Sequence, residues 1–161
     1  MKDLLDKLSS YNIFNYLFPG IVFAVILTKI TSYSLLQENP ITGVFVYYFI
    51  GLVISRFGSL VIEPFLKKIS FLKFVDYKEF VLASKKDEKI ELFSESNNMY
   101  RTLSSLFILA IILKFYEFIE TKIPILKDWS AWFLLVLLLF MFLFSYRKQT
   151  QYITKRIKAN G

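Results

Sequence analysis

Residues 129–146 read WSAWFLLVLLLFMFLFSY, eighteen consecutive positions without a charge. A helix needs ~20 apolar residues, with a range of ~17–25, to cross the ~30 Å hydrocarbon core of a bilayer. Three more runs of this kind lie upstream, at 17–36, 41–62 and 103–119. Together they take about half of a 161-residue chain. A water-soluble core of this size cannot hide four such segments. The expected fold class is an all-α integral membrane protein with four transmembrane helices.

Composition agrees and sets limits. Hydrophobic residues make up 55% of the chain and aromatic residues 19%, well above a typical soluble domain. There is no His and no Cys. This removes Ser-His-Asp and Cys-His nucleophiles, zinc sites built on imidazole or thiolate, haem with His ligation, and disulfides. No metal and no cofactor is expected. A carboxylate pair alone is a weak basis for acid–base chemistry, and nothing else gathers around one. The expectation is a protein without enzymatic activity.

The net charge of +7 first has a topological explanation. Fifteen of the 20 Lys and Arg fall in 1–16, in 63–102 and in the tail after 146, and three fall on the opposite side. Positive residues mark cytoplasmic loops. The bias predicts an N-in/C-in chain with short external connections. Trp129 and Trp132 at one end of the fourth run, and Tyr146 followed by Arg147 and Lys148 at the other, suit the two interfaces.

The chain divides into a cytoplasmic amphipathic helix over 1–16, a transmembrane hairpin over 17–63, a cytoplasmic helical projection over 64–102, a second hairpin over 103–146 and a basic tail over 147–161. Leu4, Leu5, Leu8 and Tyr11 give the first segment one apolar face. Asn39-Pro40 breaks the chain between spans one and two. Glu63-Pro64 is expected to end span two, because the residue before proline avoids the helical region. Phe74, Tyr77 and Val81 recur at helical spacing. Asp87 suits an N-cap, and no Gly or Pro interrupts 87–121, which predicts one helix ~50 Å long. A hairpin around 89–93 is the alternative. The tail is expected to form a separate interfacial helix.

Charges within apolar spans are costly and tend to face protein or water. The pore-lining or gating candidates are therefore Ser55, Arg56, Ser59, Glu63, Lys114 and Glu117. Each also has a structural reading. Arg56 can snorkel or pair. Gly51, Ser55, Ser59 and Glu63 form an i,i+4 stripe that suits close helix packing. Lys114 and Glu117 can pair at i,i+3. Pro19 and Gly20 are the hinge candidates for a gate, or simply a helix start. Lys85, Lys86, Lys89 and Arg101 are candidates for binding an anionic ligand, with Phe80, Phe93 and Tyr100 interleaved. Contact with anionic lipid is the ordinary role of such a patch. Asn97 and Asn98 lie on the stripe of the long helix, where a polar residue either sets oligomer register or faces solvent.

Two stretches, LSSYNIFNYLFPG at 8–20 and NNMYRT at 97–102, together resemble small bacterial membrane effectors of antiphage defence. The likeness is to the transmembrane channel effectors of Hailong systems. The resemblance implies a homo-oligomer, a tetramer, in the bacterial inner membrane. It implies a channel closed at rest and opened by an oligodeoxyadenylate signal from a partner nucleotidyltransferase, with loss of membrane potential. The expected partners are the bilayer, its own copies and that signal; duplex nucleic acid is not among them. A membrane anchor that recruits a cytoplasmic partner through 64–102 is the other class of function. A small transporter is weaker, since no inverted repeat or broken helix pair is visible.

Overall fold

The computed structural model describes residues 12–160, without the side chain of Asn160. The described residues are all-helical, and four of their helices are long and apolar enough to cross a membrane. In chain order they are α1 (Ile13–Ile30), α2 (Pro40–Lys68), the short α3 (Tyr77–Lys86), α4 (Lys89–Lys122) and α5 (Ile125–Asn160). Most of the amphipathic helix expected over 1–16 lies outside the described residues.

α1 and α2 form an antiparallel hairpin with an unusually close crossing. A Cβ on Gly20 would fall onto the Tyr47 carbonyl, and a Cβ on Gly51 would fall onto the Tyr16 carbonyl. Each glycine thus sits on the backbone one turn from the other glycine's partner. Only the missing side chains let the backbones approach this far. Along α2, Gly58 takes a third close contact, against Ser105 of α4. α4 therefore lies on the hairpin, and the core cluster is drawn from all three helices: Phe23 and Leu27, Ile54, Leu106 and Ala110.

α5 is the outlier. The connection from α4 is two residues long, yet α5 rests mainly on α2 and α3. Only 11% of its most apolar window is buried, against 39% for α1. It contributes nothing to the core cluster. Its contact face is Met141, Ser145 and Lys148, with Phe142 stacked on Phe49 of α2 at 6.0 Å. α3 packs its Tyr77 ring against Tyr152 of α5 at 6.0 Å.

The structure corrects four boundaries. Span two does not end at Glu63-Pro64; the helix runs on to Lys68. A π turn over Gly58–Ile62 precedes the proline, and the Glu63 N–H reaches back to the Gly58 carbonyl. The wider turn removes the one-turn-back carbonyl that a proline ring would strike in a regular helix. The same device stands before Pro19: a π turn over Ile13–Leu17, with the Phe18 N–H on the Ile13 carbonyl. Pro19 is thus carried inside a continuing helix. Span one stops at Ile30, earlier than its apolar run. Thr28 and Thr31 turn their hydroxyls onto the Ala24 and Leu27 carbonyls, and Tyr33 and Leu35 fold back over the core. Last, the tail is no separate helix, because α5 continues unbroken from Ile125 to Asn160.

Other breaks lie where the chain chemistry puts them. Asn39 Oδ1 accepts from the N–H groups of Ile41 and Thr42 and opens α2 at Pro40. Asp76 and Asp87 accept from Lys78 and Lys89 and open α3 and α4. α2 closes with Ser70 in the left-handed region, φ 59°. The Phe71 N–H bonds Leu66 O and the Ser70 N–H bonds Lys67 O, a Schellman closure.

Candidate functional site

Two polar clusters mark the two ends of the bundle. At one end Glu63 is buried, with 6% of its surface exposed. Its Oε2 accepts from Arg101 Nη1 of α4 at 2.8 Å, and its Oε1 accepts from Lys67 Nζ at 3.0 Å. Lys148 of α5 stands 3.7 Å from Oε1. One carboxylate thus ties three helices together, and three cations surround it. The cluster carries a surplus of positive charge. Arg101 Nε is buried and has no acceptor among the described residues.

Lys148 completes its shell on Ser59, donating at 2.7 Å to both the carbonyl and Oγ. That carbonyl is free for a reason in the sequence. In the π register its donor would be residue 64, and Pro64 has no N–H. Thr102 and Ser105, both fully buried, turn their hydroxyls back onto the Asn98 and Arg101 carbonyls of their own helix.

At the other end the loop after α1 is pinned to α4. The Ser32 N–H donates to Glu117 Oε1 at 2.6 Å, and Lys114 pairs with Glu117 Oε2 at 2.8 Å. The Tyr33 hydroxyl donates to Glu120. Burial and the nearby Glu120 carboxylate push the Tyr33 phenol above its ordinary value. Ser130 of α5 donates to Glu120 Oε1 at 2.6 Å, so this knot also reaches α5.

The expected site residues separate into groups. Ser55, Ser59 and Glu63 are buried within the chain, and Gly51 shares their seam. Arg56 is half-buried and donates to the Tyr16 hydroxyl at 3.3 Å. Lys114 stays exposed beside Glu117. Pro19 and Gly20 are buried, Gly20 in the α2 crossing. Lys85, Lys86 and Lys89 stand exposed around the α3–α4 junction. Arg101 is not with them: it lies ~18 Å further along α4 and is turned into the Glu63 cluster. Asn97 is exposed and Asn98 half-buried. Lys67 and Lys148 join the Glu63 cluster without having been among the candidates. Lys67 at i+4 from Glu63 was the available signal; Lys148 left none.

No family model matches the chain, and neither a curated protein nor a solved structure does.

Proposed function

We propose that the chain is one subunit of a homo-oligomeric channel effector of bacterial antiphage defence. It lies in the inner membrane with both termini cytoplasmic, is closed at rest, and opens on a nucleotide signal. The observation that carries this reading is the buried Glu63, which ties three helices and draws on one of the two stretches that resemble Hailong effectors. The first supplies the π turn at Ile13–Leu17, which packs on α2 and α4. The second supplies Arg101, which holds Glu63. That carboxylate latches α2, α4 and α5.

The latch suits an anionic trigger. A phosphate-rich oligomer competes with Glu63 for Arg101, Lys67 and Lys148, and releasing them frees α5, the least packed span. By resemblance that trigger is an oligodeoxyadenylate and the assembly a tetramer. Four spans in one chain enclose no wide pore, and the seam of Ser55, Ser59 and Glu63 is used up in packing. The conducting path then runs between copies.

Liposomes holding the purified chain test this. Ion flux is expected on adding deoxyadenylate oligomers and not before, and Glu63→Gln is expected to leak without signal. Impermeability across a length series of these oligomers overturns the reading.

One observation favours a scaffold instead. Phe71, Phe93 and Tyr100 are 73%, 66% and 64% exposed in the segment between spans two and three. Under that reading Phe93→Ala abolishes recruitment of a cytoplasmic partner, while Arg56→Leu and Lys114→Leu change nothing.

A further inference from the structure

An open groove of about 430 Å³ runs between α2 and α5, lined by Arg56, Phe142, Ser145, Tyr146 and Gln149. Its chemistry is one-sided. Arg56 has five N–H donors, of which one bond, to Tyr16, is in use. Among the described residues no carboxylate lies within ion-pair distance of it. Ser145 is 9% exposed, and its Oγ is buried without a hydrogen-bond partner. Gln149 stands one turn further along the same face of α5. Arg56 brings the one formal charge, Ser145, Tyr146 and Gln149 are able to donate beside it, and no acidic group lines the groove. A cation is excluded and an anion is favoured.

The place of the groove says which anion. Arg56 lies seven residues before Glu63 along α2, ~10 Å deeper into the apolar part of the bundle. A guanidinium at that depth reaches the level of lipid phosphates by extending its stem. The deep wall is apolar: Phe142 stacks on Phe49, closing the groove between the two helices. Tyr146, 76% exposed, stands at the outer rim, where a phenol suits the headgroup layer. Polar donors on top of an aromatic floor match a phosphate ester carrying an acyl chain. They do not match a fully hydrated anion.

We infer that this groove binds one anionic phospholipid, its phosphate held by Arg56 and Ser145 and its first acyl carbons laid against Phe142. Arg56 forks onto two phosphate oxygens, a geometry a lysine cannot reproduce. The inference rests on the four helices spanning a bilayer and is independent of whether the chain conducts.

Native mass spectrometry of the full chain from mixed micelles tests it, with phosphatidylglycerol and phosphatidylcholine as the two probes. Phosphatidylglycerol is expected to stay bound about tenfold more strongly. Arg56→Gln and Ser145→Ala should each erase most of that preference, and Arg56→Lys should keep part of it. Gln149→Ala, at an exposed position, tests the same preference should Arg56→Gln fail to fold. Equal retention of the two lipids, or a preference untouched by Arg56→Gln and Gln149→Ala, overturns the inference. A separate arm offers inorganic phosphate to lipid-free protein. If phosphate alone saturates the site and phosphatidylglycerol does not displace it, the site belongs to a soluble anion and the lipid assignment falls. A change in copy number with unchanged lipid retention assigns the groove to a second chain, which also overturns it.

Discussion

Lys148 places its ammonium on the carbonyl oxygen of Ser59, 2.7 Å away, the oxygen that Pro64 leaves without a donor. A lysine from the last long helix thus repairs a defect that a proline makes in the second. The repair predicts coupling. Lys148→Met should cost about 2 kcal/mol, because a buried acceptor and a buried carboxylate both lose a partner. Pro64→Ala restores an N–H at the defect, and the double variant should recover about 1 kcal/mol of the loss. A thermal-unfolding double-mutant cycle in micelles checks this; strictly additive losses would count against the repair.

Glu63 predicts a sharper asymmetry. Glu63→Leu alone should cost about 3–5 kcal/mol, since it leaves three cations around a buried position with no carboxylate, whereas Arg101→Leu should cost less, since Glu63 keeps Lys67 and Lys148. The pair Glu63→Leu with Arg101→Leu should cost less than the sum of the two. The comparison needs only relative melting temperatures of the three variants.

The three close-packed glycines should differ. Gly20→Ala and Gly51→Ala drive a methyl into backbone carbonyls that cannot turn aside, and the α1–α2 hairpin should fail to form. Gly58→Ala meets the Ser105 hydroxyl, a side chain able to rotate, and should cost about 1–3 kcal/mol. Yield of monodisperse protein after extraction separates the two classes.

Ser70 offers a gain. It sits at φ 59°, where an L residue bears about 1 kcal/mol of steric cost that glycine avoids. Ser70→Gly should raise stability by up to that amount, read as a higher unfolding midpoint with no change in helix content.

The long helices were legible because lipid-length apolar runs have few other uses, and the Asn39-Pro40 break was legible because cap and proline coincide. The π turns were not. An added residue in a turn leaves hydropathy unchanged, so Pro64 read as a terminator when it was an insertion in a continuing helix. Tyr33 and Leu35 extended the first apolar run for a tertiary reason, the cover they give the core. Arg101 was grouped with Lys85, Lys86 and Lys89 by nearness in sequence. Its partner Glu63 is 38 positions away, and only the packing of α4 on α2 brings them together. Lys148 looked like one more interfacial cation, since nothing in its neighbourhood names Ser59.

The unbroken α5 has a mechanical consequence. A rigid rod fixed near Lys148 extends ~35 Å toward Ile125 and ~18 Å toward Asn160. Its grip at Ser59 acts as a fulcrum and its tail as the short arm. A displacement at the tip of the tail, beyond the Tyr152 contact with α3, is therefore scaled about twofold at the Ile125 end by leverage alone, a stroke the Ser130–Glu120 bond resists.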